Sequence, residues 1–132
     1  MLFRSCPPGE ARLTRGYRLS AGQVIHTVGP VWRGGNAGES AILANCYKAC
    51  LAIARDRRLG AIAFPAIATG IYGFPRDEAA SIALAAVRAH LDEYEMPERV
   101  IFVCFDESTL AAYRRALGAG PMQANDRARA GR

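Results

Sequence analysis

Gly70 and Gly73 bracket Ile71 and Tyr72 within the run Phe-Pro-Ala-Ile-Ala-Thr-Gly-Ile-Tyr-Gly-Phe-Pro, residues 64–75. A glycine-bearing loop between an apolar strand and a helix can hold an anion. The helix start presents unpaired N–H groups and a partial positive charge, and glycine removes the Cβ that would keep a phosphate off the backbone. Tyr72 could lie against a sugar or a base. The same spacing also fits an ordinary strand-to-helix turn that needs two glycines.

Other reactive residue types are scattered. The four cysteines, Cys6, Cys46, Cys50 and Cys104, form no Cys-x-x-Cys pair, and His26 and His90 stand at no zinc-ligand spacing from them. They read as reduced, buried thiols, with no metal and no cofactor expected. His26 and His90 fall on apolar faces and read as core histidines. Trp32 and Arg33 follow Gly29-Pro30 and could pack or touch a ligand. Asp106 precedes a helical stretch and suits an N-cap.

The elements that must position these residues alternate. Residues 10–15 are a weak strand candidate, and residues 23–28 a stronger one bounded by Gly22 and Gly29-Pro30. A glycine-rich loop, expected to be flexible, leads to a helix over residues 39–56 with an apolar stripe of Ile42, Cys46, Cys50, Ile53 and Ala54, widened by Leu43, Tyr47 and Leu51. Residues 61–64 fit a buried parallel strand. From Arg76 a second helix repeats Ala79, Ile82, Ala83, Ala86, Val87, His90 and Leu91. Residues 99–105 are the clearest strand, and a last helix carries Leu110, Tyr113 and Leu117 and ends at Gly118. This order predicts an α/β fold with largely parallel pairing. In such sheets ligands sit outside the carboxyl ends of the strands. The loops 29–38, 65–75 and 105–108 meet that description and could form one cleft.

The 132 residues allow one domain, and no apolar run reaches the about 20 residues of a membrane span. No signal peptide is expected at the start, so the sequence reads as cytoplasmic. The net charge of +5 gathers at the ends. Residues 1–18 carry +3, residues 118–132 carry +2, and the body between balances ten basic against ten acidic residues. Such placement argues against a nucleic-acid-binding face. Residues 118–132 read as a disordered basic tail.

Three spaced segments, Val-Ile-His-Thr-Val-Gly-Pro-Val-Trp at 24–32, the loop run at 64–75, and Val-Ile-Phe-Val-Cys-Phe-Asp at 100–106, together resemble a macrodomain. The likeness is strongest to the bacterial O-acetyl-ADP-ribose deacetylase group. Cys-Pro-Pro-Gly-Glu-Ala at 6–11 resembles the family's usual Cys-Pro-Thr-Gly-x-Ala, so residues 6–117 read as a partial macrodomain, truncated at its N-terminus. The resemblance implies a three-layer αβα fold with a mixed, largely parallel sheet. It implies that Ala68, Thr69, Gly70, Ile71, Tyr72 and Gly73 bind the pyrophosphate and distal ribose of ADP-ribose, and that Phe105 packs against adenine. The family usually has Ser where Ala68 stands.

The family's opening strand ending Asp-Ile, its Asn-Ala-Ala-Asn strand and its Gly-Val-Asp loop find no match, and they carry the adenine-reading acid and the base that activates water. No catalytic residue is therefore assigned. The resemblance implies an ADP-ribose-binding macrodomain of the type that hydrolyses O-acetyl-ADP-ribose or ADP-ribosylated protein, impaired here, with a non-catalytic ADP-ribose-binding module or a truncated gene product as the alternatives. Because the unmatched second strand is central in the family's sheet, residues 23–28 and 61–64 are expected to stand unpaired toward one another. The chain alone is then expected to be marginal, aggregation-prone or dimeric.

Overall fold

The structure is a computed structural model, and it describes residues 6–16 and 22–118. The tail expected over 118–132 lies, apart from Gly118, outside the described residues. The elements run β1 (Ala11–Arg15), β2 (Gln23–Thr27), α1 (Glu39–Asp56), β3 (Ala61–Pro65), α2 (Arg76–Glu93), β4 (Arg99–Val103) and α3 (Glu107–Leu117). The predicted elements are all present, with bounds shifted by a residue or two. Among the described residues, no helix is long and apolar enough to cross a membrane.

The strands form two separate pairs. β1 and β2 are antiparallel, with Leu13 opposite Ile25, and β3 and β4 are parallel, with Ile62 opposite Val100 and Phe64 opposite Phe102. No ladder joins β2 to β3. Among the described residues β2 and β3 do not pair with each other, as expected.

The core gathers between the helices and one face of the β3–β4 pair. The period-2 alternation of β3 buries Ile62 and Phe64 and leaves Ala61, Ala63 and Pro65 exposed. Phe64 meets Tyr47 of α1 at 5.0 Å between ring centroids, and Phe102 meets Tyr113 of α3 at 5.0 Å. The two tyrosine hydroxyls lie 3.3 Å apart in the interior, and burial raises the pKa of both. α2 buries Ala79, Ala80, Ala83, Ala86 and Val87, small side chains that let it approach its neighbours closely.

Several burial expectations need correction. β3 is half-covered rather than buried, because nothing among the described residues packs on its second face. The fully buried stripe of α1 is Leu43, Cys46, Tyr47, Cys50, Leu51 and Ala54, while Ile42 and Ile53 lie at its margins. The reason is a stripe broad enough to centre on either row, so that packing against Phe64 selects the Tyr47 row. On α2 Leu84 is buried and Leu91 is exposed. All four cysteines are free, but only Cys46 and Cys50 are buried, and Cys6 and Cys104 are half-buried. His26 is half-buried as well, with Nε2 3.0 Å from Thr14 Oγ1 across the β1–β2 ladder. His90 is a buried structural histidine whose Nε2–H donates to Met96 O at 2.9 Å.

Candidate functional site

The loop between β3 and α2 is built by its own backbone. Gly73 N donates to Gly70 O at 3.0 Å and Phe74 N to Ala68 O at 2.9 Å, so residues 68–74 close a double turn. Phe74 anchors the turn in the core, and Ile71 at its tip is fully exposed. The sequence suggests that both glycines set the turn. The structure divides that work between Gly73 (φ +74°) and Ala68 (φ +66°). Ala68 is held left-handed, a conformation that costs a residue with a Cβ about 1–2 kcal/mol. Such strain clusters at functional sites when the surroundings enforce it. Gly70 has no such φ, and a Cβ there would meet nothing within 4 Å. Its lack of a side chain leaves the outer surface of the loop bare.

Among the described residues, the amides of Thr69, Gly70, Ile71 and Tyr72 have no protein acceptor, whereas that of Gly73 is already used in the turn. α2 starts next, with Pro75 at its N-cap and no side chain capping its first amides. Four adjacent N–H groups with no protein acceptor, ahead of an uncapped helix start, are donors of the kind that suit a phosphate.

The loop at 29–38 packs directly on this one. Trp32 N donates to Tyr72 O at 2.8 Å, and the Trp32 and Phe74 rings meet at 4.8 Å. Gly29 lies so close that a Cβ there would stand 2.8 Å from Ile67 Cγ2 and 3.0 Å from Ala68 Cβ. Trp32 is therefore a packing residue and the strut that fixes the Tyr72 carbonyl.

Glu39 is the residue that sequence reasoning missed. It is 2% exposed and opens α1. Its Oε2 accepts from Arg33 N at 2.8 Å and Gly35 N at 2.9 Å, and its Oε1 accepts from Ala37 N at 2.7 Å. These amides, Arg33's first, hold its carboxyl down at about 2. The loop expected to be flexible is thus pinned by a buried carboxylate. An acid immediately after a glycine-rich loop was the available signal, since a carboxylate there can satisfy amides that no helix turn reaches.

The third loop stands apart from this contact. Phe105 is 83% exposed, so it seals no core edge and its ring is open to a ligand. Asp106 caps α3, with its carboxylate accepting from Thr109 N at 2.7 Å, and that bond is the main cause of its lowered pKa. The structure thus brings Ala68, Thr69, Gly70, Ile71, Tyr72 and Gly73 together with Trp32, while Phe105 has no described contact with them. Among the described residues, no three His, Cys, Asp or Glu side chains gather as a metal site would require.

Comparison with known proteins gives these loops a context. Residues 2–83 match the family model described as Macro domain. A Macro domain-containing protein of Mesorhizobium japonicum is 48% identical over 118 residues, 89% of this chain and 67% of its own. A Klebsiella pneumoniae protein named O-acetyl-ADP-ribose deacetylase is 53% identical over 116 residues, 88% of this chain and 66% of its own. A Trypanosoma brucei macrodomain solved in complex with ADP-ribose superimposes with a TM-score of 0.78 at 38% identity, covering 86% of this chain and 47% of that one. The chain thus spans about two thirds of these curated relatives and about half of the solved one. Its strands, helices and glycine loop, in that order and at that identity, make it a member of the Macro domain family.

Proposed function

We propose that this chain binds ADP-ribose on the loop 68–73. The observation that carries the reading is the run of four unpartnered amides, Thr69 to Tyr72, ahead of the uncapped start of α2. A diphosphate brings acceptor oxygens that match those donors, and the half-exposed Tyr72 ring gives the neighbouring ribose an apolar wall. The exposed Phe105 ring is our candidate for stacking on adenine. The solved relative in complex with ADP-ribose supports this choice of ligand.

Hydrolysis needs a base within reach of an attacking water. The relative named O-acetyl-ADP-ribose deacetylase supports that chemistry, with O-acetyl-ADP-ribose or ADP-ribosylated protein as substrate. Yet carboxylates beside the loops are committed: Glu39 to three amides, Asp106 to its helix cap and Asp77 to the Arg115 guanidinium. Our reading is therefore binding with negligible turnover by these 132 residues. The free cysteines fit a reducing, cytoplasmic setting, and the balanced charge of the body gives nucleic acid no basic face.

Acetate release from O-acetyl-ADP-ribose, measured beside calorimetric titration with ADP-ribose, tests both halves. Heat of binding without acetate is expected. Clear turnover would put a base among the residues assigned structural roles, and absence of binding would remove the ligand assignment.

A further inference from the structure

Four amides and a helix start bring only partial positive charge to the site. A diphosphate brings full negative charges, so a cation is the component that the donor loop itself lacks. The loops 29–38, 65–75 and 105–108 hold one basic residue, Arg33, and its amide is drawn into the clasp around Glu39. The next basic residue after the donor loop is Arg76, which opens α2 directly behind it.

Arg76 is out of place by helix criteria. A positive charge in the first turn opposes the dipole, whereas its neighbours Asp77 and Glu78 suit it. The residue is exposed, and its side chain makes no hydrogen bond or ion pair among the described residues. A local rule broken with no compensating contact, at the edge of a candidate site, points to a ligand.

The surroundings of Arg76 support that reading. Side chains of a helix tilt toward its N-terminus, so Arg76 leans toward the loop 68–73. The first turn of α2 is tied to α3, where Arg115 Nη2 donates to Asp77 Oδ1 at 2.8 Å. Asp106 stands at the start of α3. Its carboxylate is held down first by the bond from Thr109 N, and the Arg76 charge adds to that effect. Arg76 therefore lies within electrostatic reach of the residue next to Phe105. It occupies the interval between the donor loop and the exposed ring, which a ligand touching both would have to cross.

We propose that Arg76 is the specificity-determining cation of this site. Its guanidinium takes the phosphate on the adenosine side of the diphosphate as a two-pronged donor and leaves the other phosphate to the loop amides. The inference rests on the ADP-ribose reading and adds to it a named source of selection for the charged diphosphate.

Calorimetry with ADP-ribose and with ADP compares the wild-type protein with Arg76→Gln and Arg88→Gln. Arg88 is exposed on the same helix, about 18 Å further along, so its variant makes the same charge change away from the site. Arg76→Gln is expected to weaken both ligands at least about tenfold at low salt, and Arg88→Gln to leave both unchanged. The deficit should shrink as salt rises from about 0.01 M to about 1 M, because the screening length falls from about 30 Å to about 3 Å. The urea midpoint of Arg76→Gln should not fall, since the variant removes a charge that the helix dipole disfavours. Four results would each overturn the inference while leaving ADP-ribose binding standing: wild-type affinity in Arg76→Gln, an equal loss in Arg88→Gln, a loss independent of salt, or a midpoint that falls together with affinity. Failure of the wild-type protein to bind ADP-ribose would overturn both the inference and the reading it rests on.

Discussion

Gly29→Ala is the sharpest perturbation of the contact between the two site loops. The added methyl would stand 2.8 Å from Ile67 Cγ2, 3.0 Å from Ala68 Cβ and 3.6 Å from Ala68 Cα. The first two distances are too short for carbon atoms, whose attraction is best near about 3.5–4.0 Å. Something must therefore move. Rotating Ile67 off its rotamer costs about 0.5–1.5 kcal/mol. Shifting Ala68 instead disturbs a residue already held at φ +66° by its surroundings. Overpacking of this kind costs about 1–3 kcal/mol, and at this chain length each kcal/mol lowers Tm by roughly 4 °C. Because Ala68 begins the donor loop, ADP-ribose affinity is expected to fall together with stability. Urea unfolding followed by tryptophan fluorescence is a suitable assay, since Trp32 is the one tryptophan and stacks on Phe74 within the contact. Adding Ile67→Ala removes the nearer obstacle, and the double mutant should recover at least 0.5 kcal/mol relative to additivity. A Gly29→Ala protein with wild-type stability and affinity would refute the close approach of the loops.

Other outcomes follow from buried groups. Glu39 has its folded-state pKa depressed from 4.5 to about 2; its stabilisation is complete above pH 4.5 and is lost as the pH falls toward 2. Urea midpoints should show Glu39→Gln destabilised at pH 7, with the gap to wild type closing across that window; a gap independent of pH would contradict the role given to the carboxylate. Burial pushes the Cys50 thiol up to about 12 and raises Cys46 as well. Iodoacetamide at pH 8 should therefore modify half-buried Cys6 while Cys46 and Cys50 react only on unfolding, as read by mass spectrometry of peptides. Equal labelling of Cys6 and Cys50 in the folded protein would show the core to be open. Leu43→Ala, at a fully buried position on α1, should cost about 2–5 kcal/mol in urea unfolding, and a loss under 1 kcal/mol would mean that α1 does not pack as described.

The elements were legible because their apolar periods are strong. Arg99–Val103 is β-branched and aromatic, and the 18 residues of α1 carry a broad stripe that no strand period fits. Asp106 as an N-cap and the loop before α2 also followed from residue type and position. What escaped was set by tertiary context. Nothing local distinguishes Ala68 as the left-handed residue, since alanine avoids that conformation unless neighbours enforce it. The use of Gly73's amide inside the turn, leaving four free donors rather than five, depends on hydrogen bonds that spacing does not encode. Glu39 entered the sequence reading only as the first residue of a helix, yet it folds the preceding loop around itself. Apolar composition predicted a buried β3, but burial needs a covering layer, and Ala61 and Ala63 face none among the described residues.

The central claim is that a diphosphate sits on the bare backbone of the loop 68–73, and calorimetry of ADP-ribose with Gly70→Val tests it most directly. A Cβ at position 70 meets nothing within 4 Å, and this glycine has no left-handed φ that valine would strain. The variant should therefore unfold at the wild-type urea midpoint. Its two methyls project where the pyrophosphate is expected to lie, so ADP-ribose binding should disappear while stability is kept. Wild-type affinity in the folded variant would contradict the claim and move the site away from this loop.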